Sequence, residues 1–366
     1  MDSSSLAAIV VGLLDDAYLS DVLVRLLQTP TDVSPDPSAL EPGDLRLARY
    51  VRKVVQPELE RLKLGPATVD AANHLVCKMG REVASPSLLL LGYAAASHAQ
   101  RMAAPHSGEL ATSAAYGGDE LCAFGQGAAE HKGALAAALA ALRLVAASGL
   151  PLRGRLVFAL NPAGADGARA LVEGHDLRAD QALLLAGTGN QIVLGHRGRL
   201  AVAVTIRGRA AHSSRPDLAL NAVDGAALAL QRLRALRLAG EHPRLGVAQA
   251  TVAGLQCLPL APETIPDTAQ LTVDCRLLPG DDPAAVVEAV RAALGDLAPY
   301  TVEVAAGAYR PPADAAPDLP LVGALQEAGQ ALHGAQVETT VAPTALDAGY
   351  LASAGIPAVA CGPGRL

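Results

Sequence analysis

The chain has no tryptophan, two phenylalanines and seven tyrosines in 366 residues. With Ala, Leu and Arg used where Ile and Lys are commoner, this scarcity has the look of a GC-rich coding bias, and it excludes no function. The five cysteines (Cys77, Cys122, Cys257, Cys275, Cys361) include no C-x-x-C pair, which excludes a zinc finger or a disulfide framework and points to a reducing, cytoplasmic location. A basic surplus is also missing. The net charge is -7, the 29 Lys and Arg are scattered, and nucleic acid is not an expected partner. The longest early apolar run, Leu6 to Leu14, has no basic residues before it and is shorter than the roughly 20 residues that span a bilayer. It reads as the buried face of a helix, and no membrane association is expected.

What is present is core-forming material. At 51% hydrophobic, a chain of this length fills more than one domain. A helical pattern runs from about Leu6 to Leu27 and, after a Pro-rich break (Thr29 to Pro42), another runs from Asp44 to Leu62. Strands are expected at Ala67 to Cys77 and Ser87 to Ala94, the second an unbroken LLLLG run of the kind buried on both faces of a parallel sheet. From Gly127 the order is a Gly-rich turn, a long helix (Gly133 to Ser148), a strand (Arg155 to Leu160), a helix (Gly167 to Gly174) and a strand (Gln181 to Ala186). Alternating strands and helices predict a wound, mainly parallel α/β sheet.

Between about Arg199 and Ala306 the order becomes β-α-β-β-α-β, with helices at Asn221 to Leu238 and Pro283 to Leu294, the pattern of a ferredoxin-like domain. The expected organisation is therefore a core α/β domain (1–198), a ferredoxin-like lid or dimerisation domain (199–310) and a return segment to the core (311–366). No internal repeat is found. AHSS places His212 beside Ser213 and Ser214, but no G-x-S-x-G elbow occurs, and GQGAAEHKG matches neither phosphate-binding glycine pattern.

Five stretches in this order, LLLLGY, FGQGAAEHKGALAAALAAL, HRGRLAVAVTIRGRAAHSSRP, ETIPDTAQLTVDCRLLPG and LDAGYLASAGIPAVACGPG, cover almost the whole chain. Together they resemble the dinuclear-zinc deacylases and carboxypeptidases, the family of acetylornithine deacetylase, succinyl-diaminopimelate desuccinylase and carboxypeptidase G. The resemblance implies two zinc ions, a bridging carboxylate, terminal His and carboxylate ligands, and a Glu that deprotonates water. It also implies where each should lie.

The H-x-D pair that follows the buried strand is replaced by Tyr93, Ala94 and Ala95, and the bridging Asp by Glu130. Where the resemblance implies Glu-Glu, the chain reads Asn161 and Pro162, between Leu160 and Ala163. Where it implies an acidic ligand, the chain has Ala186. A final His after the G-P-G turn is not expected, since only two residues follow Gly364, and the return segment is expected to be truncated. The resemblance further implies that His212 reaches into a dimer partner's site and that Arg276 holds a substrate carboxylate. The plainer alternatives are that His212 caps the turn before Pro216 and that Arg276 pairs with Asp274. Glu263 stands where the family has Asn.

These readings predict a degenerate homologue, without a cofactor, that serves as a binding or complementing subunit. It would be a homodimer, or a heterodimer with an active paralogue, and its ligand a small carboxylate or acyl-amino acid. The alternative is an amidohydrolase or amide-forming enzyme with a rebuilt site, metal-free or holding one metal on Glu130 and nearby histidines (His98, His131, His175 or His196). Those histidines are otherwise expected in exposed loops.

Overall fold

A computed structural model describes residues 12–32, 44–81, 85–96, 102–113, 118–162, 164–175 and 177–364. The expected helical run Leu6–Leu14, most of the Pro-rich break, His98 and Ala163 fall wholly or partly outside them. Residues up to Leu194, with Ala315–Thr340 and those from Tyr350, form one unit; Gly195–Asp314 with Val341–Gly349 form another.

The first unit is built on a sheet in the order Ala67–Val69, Leu75–Gly80, Arg155–Asn161, Ser87–Tyr93, Gln181–Leu185, Ala358–Cys361, ending on residues 192–194. Ser87–Tyr93 runs parallel to both its neighbours, and Ala358–Cys361 runs parallel to Gln181–Leu185. This is the wound, mainly parallel core that the strand and helix alternation predicts. Leu90 on one strand and Phe158 and Leu160 on the next are buried on one face of the sheet. Across them lies the helix Gly133–Ser148, whose Leu135, Leu139 and Leu142 recur at helical spacing and enter the same core.

Two elements of this unit differ from expectation. The helix expected from Leu6 through Leu27 is interrupted, because Asp15 leaves helical geometry and caps Asp16–Gln28 by accepting from the Tyr18 N–H. The strand expected from Ala67 to Cys77 is two antiparallel strands, Ala67–Val69 and Leu75–Gly80. Asn73 turns the chain between them with φ of 66°, and Asp70 Oδ1 accepts from the His74 N–H at 2.8 Å. A hairpin of Glu109–Ser113 and Gly118–Phe124 was not foreseen.

The second unit is a four-stranded antiparallel sheet in the order Gln249–Leu258, Thr268–Leu277, Gly198–Arg207, Thr301–Arg310. Its two helices, Ala222–Ala235 and Pro283–Leu294, are capped by Asn221 and Asp282. Leu200, Val202, Val204 and Ile206 alternate inward and meet Leu271, Val273 and Cys275 in one core with Ala226, Ala229 and Val290. The β-α-β-β-α-β order is thus present.

Candidate functional site

Ligand sites of wound sheets form outside the carboxyl ends of parallel strands. Here the Tyr93 strand and the Asn161 strand run in parallel with Tyr93 opposite Asn161, so both chains leave the sheet at the same edge. Backbone bonds then hold the exits together. Ala94 N–H donates to the Asn161 carbonyl at 2.9 Å and Ala95 N–H to the Pro162 carbonyl at 3.0 Å. The next exit is Ala186–Gly187, where Gly187 N–H donates to the Glu130 carbonyl at 2.8 Å. Gly187 is required by this approach, because a Cβ there would fall 1.7 Å from the Ala129 carbonyl oxygen. The terminal turn joins the same cluster, Gly189 N–H donating to the Gly364 carbonyl.

Tyr93, Ala95, Asn161, Pro162, Ala186 and Glu130, scattered over some ninety residues of sequence, are therefore at one edge of one sheet. Glu130 lies in a tight turn of π type, Ala128–Lys132, entered through Gly127 at φ of 77°. His131 follows it. Its ring meets Tyr93 edge-on, with centroids 6.4 Å apart, and bonds to the Ala94 carbonyl, while its Nε2 is buried without a partner in the protein. Burial holds the His131 pKa down at about 4, against the opposing pull of Glu130, so the ring is neutral at physiological pH. Lys132, wholly buried, donates from Nζ to the Thr29 carbonyl at 3.2 Å and lies over the Tyr50 ring; burial lowers its pKa to about 8.

The expectation that the histidines sit in exposed loops is wrong for two of them. His131 and His196 are 3% and 0% exposed, because each belongs to a turn or strand whose other face is core. His196 bonds through Nδ1 to the Arg197 carbonyl, and burial lowers its pKa. His131 was legible only as a neighbour of Glu130.

His212 and Arg276 belong to the second unit. His212 is exposed, its Nδ1 2.9 Å from Ser214 Oγ and its Nε2 3.3 Å from Glu263 Oε2. The Ser214 N–H also approaches Nδ1 at 3.2 Å, which is the turn-capping role. Arg276 Nε donates to Asp274 Oδ1 at 2.8 Å, and Arg199 shares the other oxygen of that carboxylate. Among the described residues, one group of three or more His, Cys, Asp or Glu side chains converges closely enough to hold an ion: Asp70, His74 and His175. The sequence reading missed Asp70 and His74, since VDAANHLVC passes for one strand.

A parallel-sheet unit with strand-end exits and a four-stranded ferredoxin-like unit make up the described chain. Residues 194–302 match the peptidase dimerisation domain of M20 peptidases. Over 197 residues the chain is 34% identical to a Mycobacterium tuberculosis protein that bears the provisional name succinyl-diaminopimelate desuccinylase; the match takes in 51% of each chain. The chain thus spans about half the length of the curated relatives it matches. In fold it is similar to the M20 family metallo-carboxypeptidase Sso-CP2 of Sulfolobus solfataricus (TM-score 0.73, 18% identity, 93% of this chain and 90% of that one). It is also similar to a tripeptidase of Staphylococcus aureus (TM-score 0.70, 18% identity, 96% and 90%). The chain thus carries a peptidase dimerisation domain of the M20 type and resembles M20 family peptidases in fold.

Proposed function

We propose that this chain is a family member without metal-dependent hydrolysis, acting as a binding or complementing subunit of a dimer. The observation that carries the reading is the chemistry of the strand ends. A zinc pair takes several converging N, S or O donors, and the hydrolytic water needs a carboxylate base. Tyr93 offers a phenol, Ala95 and Ala186 methyl groups, Asn161 a neutral amide and Pro162 no side-chain donor at all. Beside these positions stand Glu130 and His131, one carboxylate and one imidazole. That set does not fit two zinc ions, and it leaves no second carboxylate to act as base.

In this reading residues 199–310 are the lid and dimerisation domain, and the protein works in the cytoplasm. No helix among the described residues is long and apolar enough to cross a membrane. His212 would act across a dimer interface only after leaving Glu263, and Arg276 would take a substrate carboxylate in competition with Asp274. A small carboxylate or acyl-amino acid is the ligand class that an imidazole and a guanidinium suit.

The test is an assay of zinc- and cobalt-supplemented protein on the substrates that the relatives' names suggest, succinyl-diaminopimelate, tripeptides and peptides with a free carboxyl end. No turnover above that of a Glu130→Ala variant is expected, and turnover abolished by that variant overturns the proposal. The complementing role is tested by mixing with an active paralogue, whose kcat should change; an unchanged rate removes that role. One observation favours a second reading. Neutral His131, with an unpartnered Nε2 beside Glu130, could serve a rebuilt amidohydrolase or amide-forming site, and a Glu130→Gln variant that loses a measurable activity would support it.

A further inference from the structure

The turn that the sequence hides, Asp70 to His74, meets the end of the helix Gly164–Gly174 at His175. Asp70 Oδ2 lies 2.8 Å from His74 Nδ1 and 2.9 Å from His175 Nε2, and all three ligand atoms are within 4.8 Å of one another. Two imidazole nitrogens thus address one carboxylate oxygen from segments 105 residues apart. Arg52, the nearby cation, is spent on the Asp70 main-chain carbonyl and leaves the carboxylate alone.

The far side of His74 decides what the near side can do. His74 Nε2 lies 3.1 Å from the Gly167 carbonyl, which accepts but cannot donate, so Nε2 carries its hydrogen. The neutral ring then has a lone pair on Nδ1, facing the lone pairs of Asp70 Oδ2. Nδ1 is therefore the His74 nitrogen presented to Asp70, on the side where His175 Nε2 also arrives. A ring nitrogen fixed on a backbone carbonyl, with its partner nitrogen aimed at a carboxylate, is the arrangement that orients metal-binding histidines.

We propose that Asp70, His74 and His175 form a site for a transition-metal ion, Zn2+ in the first instance. Two imidazoles and one carboxylate suit zinc, whereas Mg2+ and Ca2+ take oxygen ligands. Zinc bonds of roughly 2.0–2.2 Å set ligand atoms about 3.3 Å apart at tetrahedral angles, so the two short contacts must each open by about 0.5 Å. The partly exposed side chains of Asp70 and His175 are free to make that adjustment, while His74, at 6% exposure, stays fixed. Three protein ligands leave a fourth position, facing solvent over Asp70 and His175, for water or an anionic ligand such as a carboxylate.

This site is distinct from the strand-end cluster, although it shares the sheet edge. Leu75 pairs with Leu160, so His74 stands level with Asn161, and Tyr93 lies one strand beyond. At about 4.8 Å per strand, His74 and Tyr93 are about 10 Å apart in the sheet. The inference does not rest on the proposed function, and the two fail separately.

The test measures zinc by mass spectrometry in protein purified without chelator and dialysed after zinc supplementation, with the visible spectrum of the cobalt form as a second readout. The wild type should hold near one equivalent and give a tetrahedral cobalt band. His175→Ala and Asp70→Ala should lose both, with affinity at least about tenfold lower, while Glu130→Ala and His131→Ala keep them. His175 is partly exposed, so its variant should fold; circular dichroism in the absence of zinc checks this, and a zinc-induced rise in Tm present in the wild type and absent in His175→Ala gives the same answer independently. Zinc absent from supplemented wild type, or kept in His175→Ala, overturns the site. Zinc lost in Glu130→Ala alone places the ion at the strand ends and counts against both this proposal and the proposed function.

Discussion

Two regions at one edge of the sheet stand in contrast. Around Glu130, backbone is packed so closely that Gly187 has no room for a methyl group, yet the side chains offer few donors. Around Asp70, the backbone is an ordinary turn and helix end, and three metal-ligating side chains converge. Close main-chain packing preserves the shape of a site without preserving its chemistry. Conversely, ligating groups can gather wherever two loops meet. The backbone fold fixes the first kind of feature, and only the side chains themselves report the second.

The contrast can be broken most forcefully through glycine. Gly187→Ala pushes a methyl into the Ala129 carbonyl and should cost about 3 kcal/mol of unfolding free energy in urea; a variant as stable as wild type would mean that the strand-end loops are not locked as described.

Acid should expose the buried histidine next. Above pH 6.5 both folded and unfolded His131 are neutral and contribute no pH dependence. Between 6.5 and about 4 the unfolded chain takes up a proton that the folded chain refuses, so stability falls as pH falls, by about 3 kcal/mol over the window. Denaturation at pH 7, 5.5 and 4 should show a shallower decline for His131→Leu than for wild type. Equal slopes would mean that His131 is solvated.

Asp70→Asn, measured without zinc, keeps the shape of the turn but removes the charge that both imidazoles address. A loss of about 1–2 kcal/mol is expected, and no loss would mean that the three groups do not meet. The smallest effect belongs to Gly174→Ala, where nothing lies within 4 Å of an added methyl; helix propensity predicts a gain of up to about 1 kcal/mol. Set against Gly187→Ala, it completes a matched pair from the two regions.

The sequence makes the wound core legible because its strands are unbroken apolar runs and its long helix repeats leucine at helical spacing. The ferredoxin-like unit is legible because its strands alternate and its helices begin at Asn221 and Asp282, both strong caps. The strand-end positions could be named in the sequence through the resemblance of the motifs around them to the zinc deacylases. The Asp70 cluster could not. Ala71 and Ala72 carry no turn signal, Asn73 alone supplies the left-handed residue, and His175 joins only through the tertiary fold. His131 was visible as a letter, but its burial depends on helix and sheet packing that no local pattern encodes.

The most direct measurement is an anomalous difference map at the zinc edge from crystals grown with zinc. The account predicts a peak within bonding distance of His74 Nδ1, His175 Nε2 and Asp70, and none at Glu130. A peak, or a pair of peaks, between Glu130, His131 and Tyr93 would contradict it.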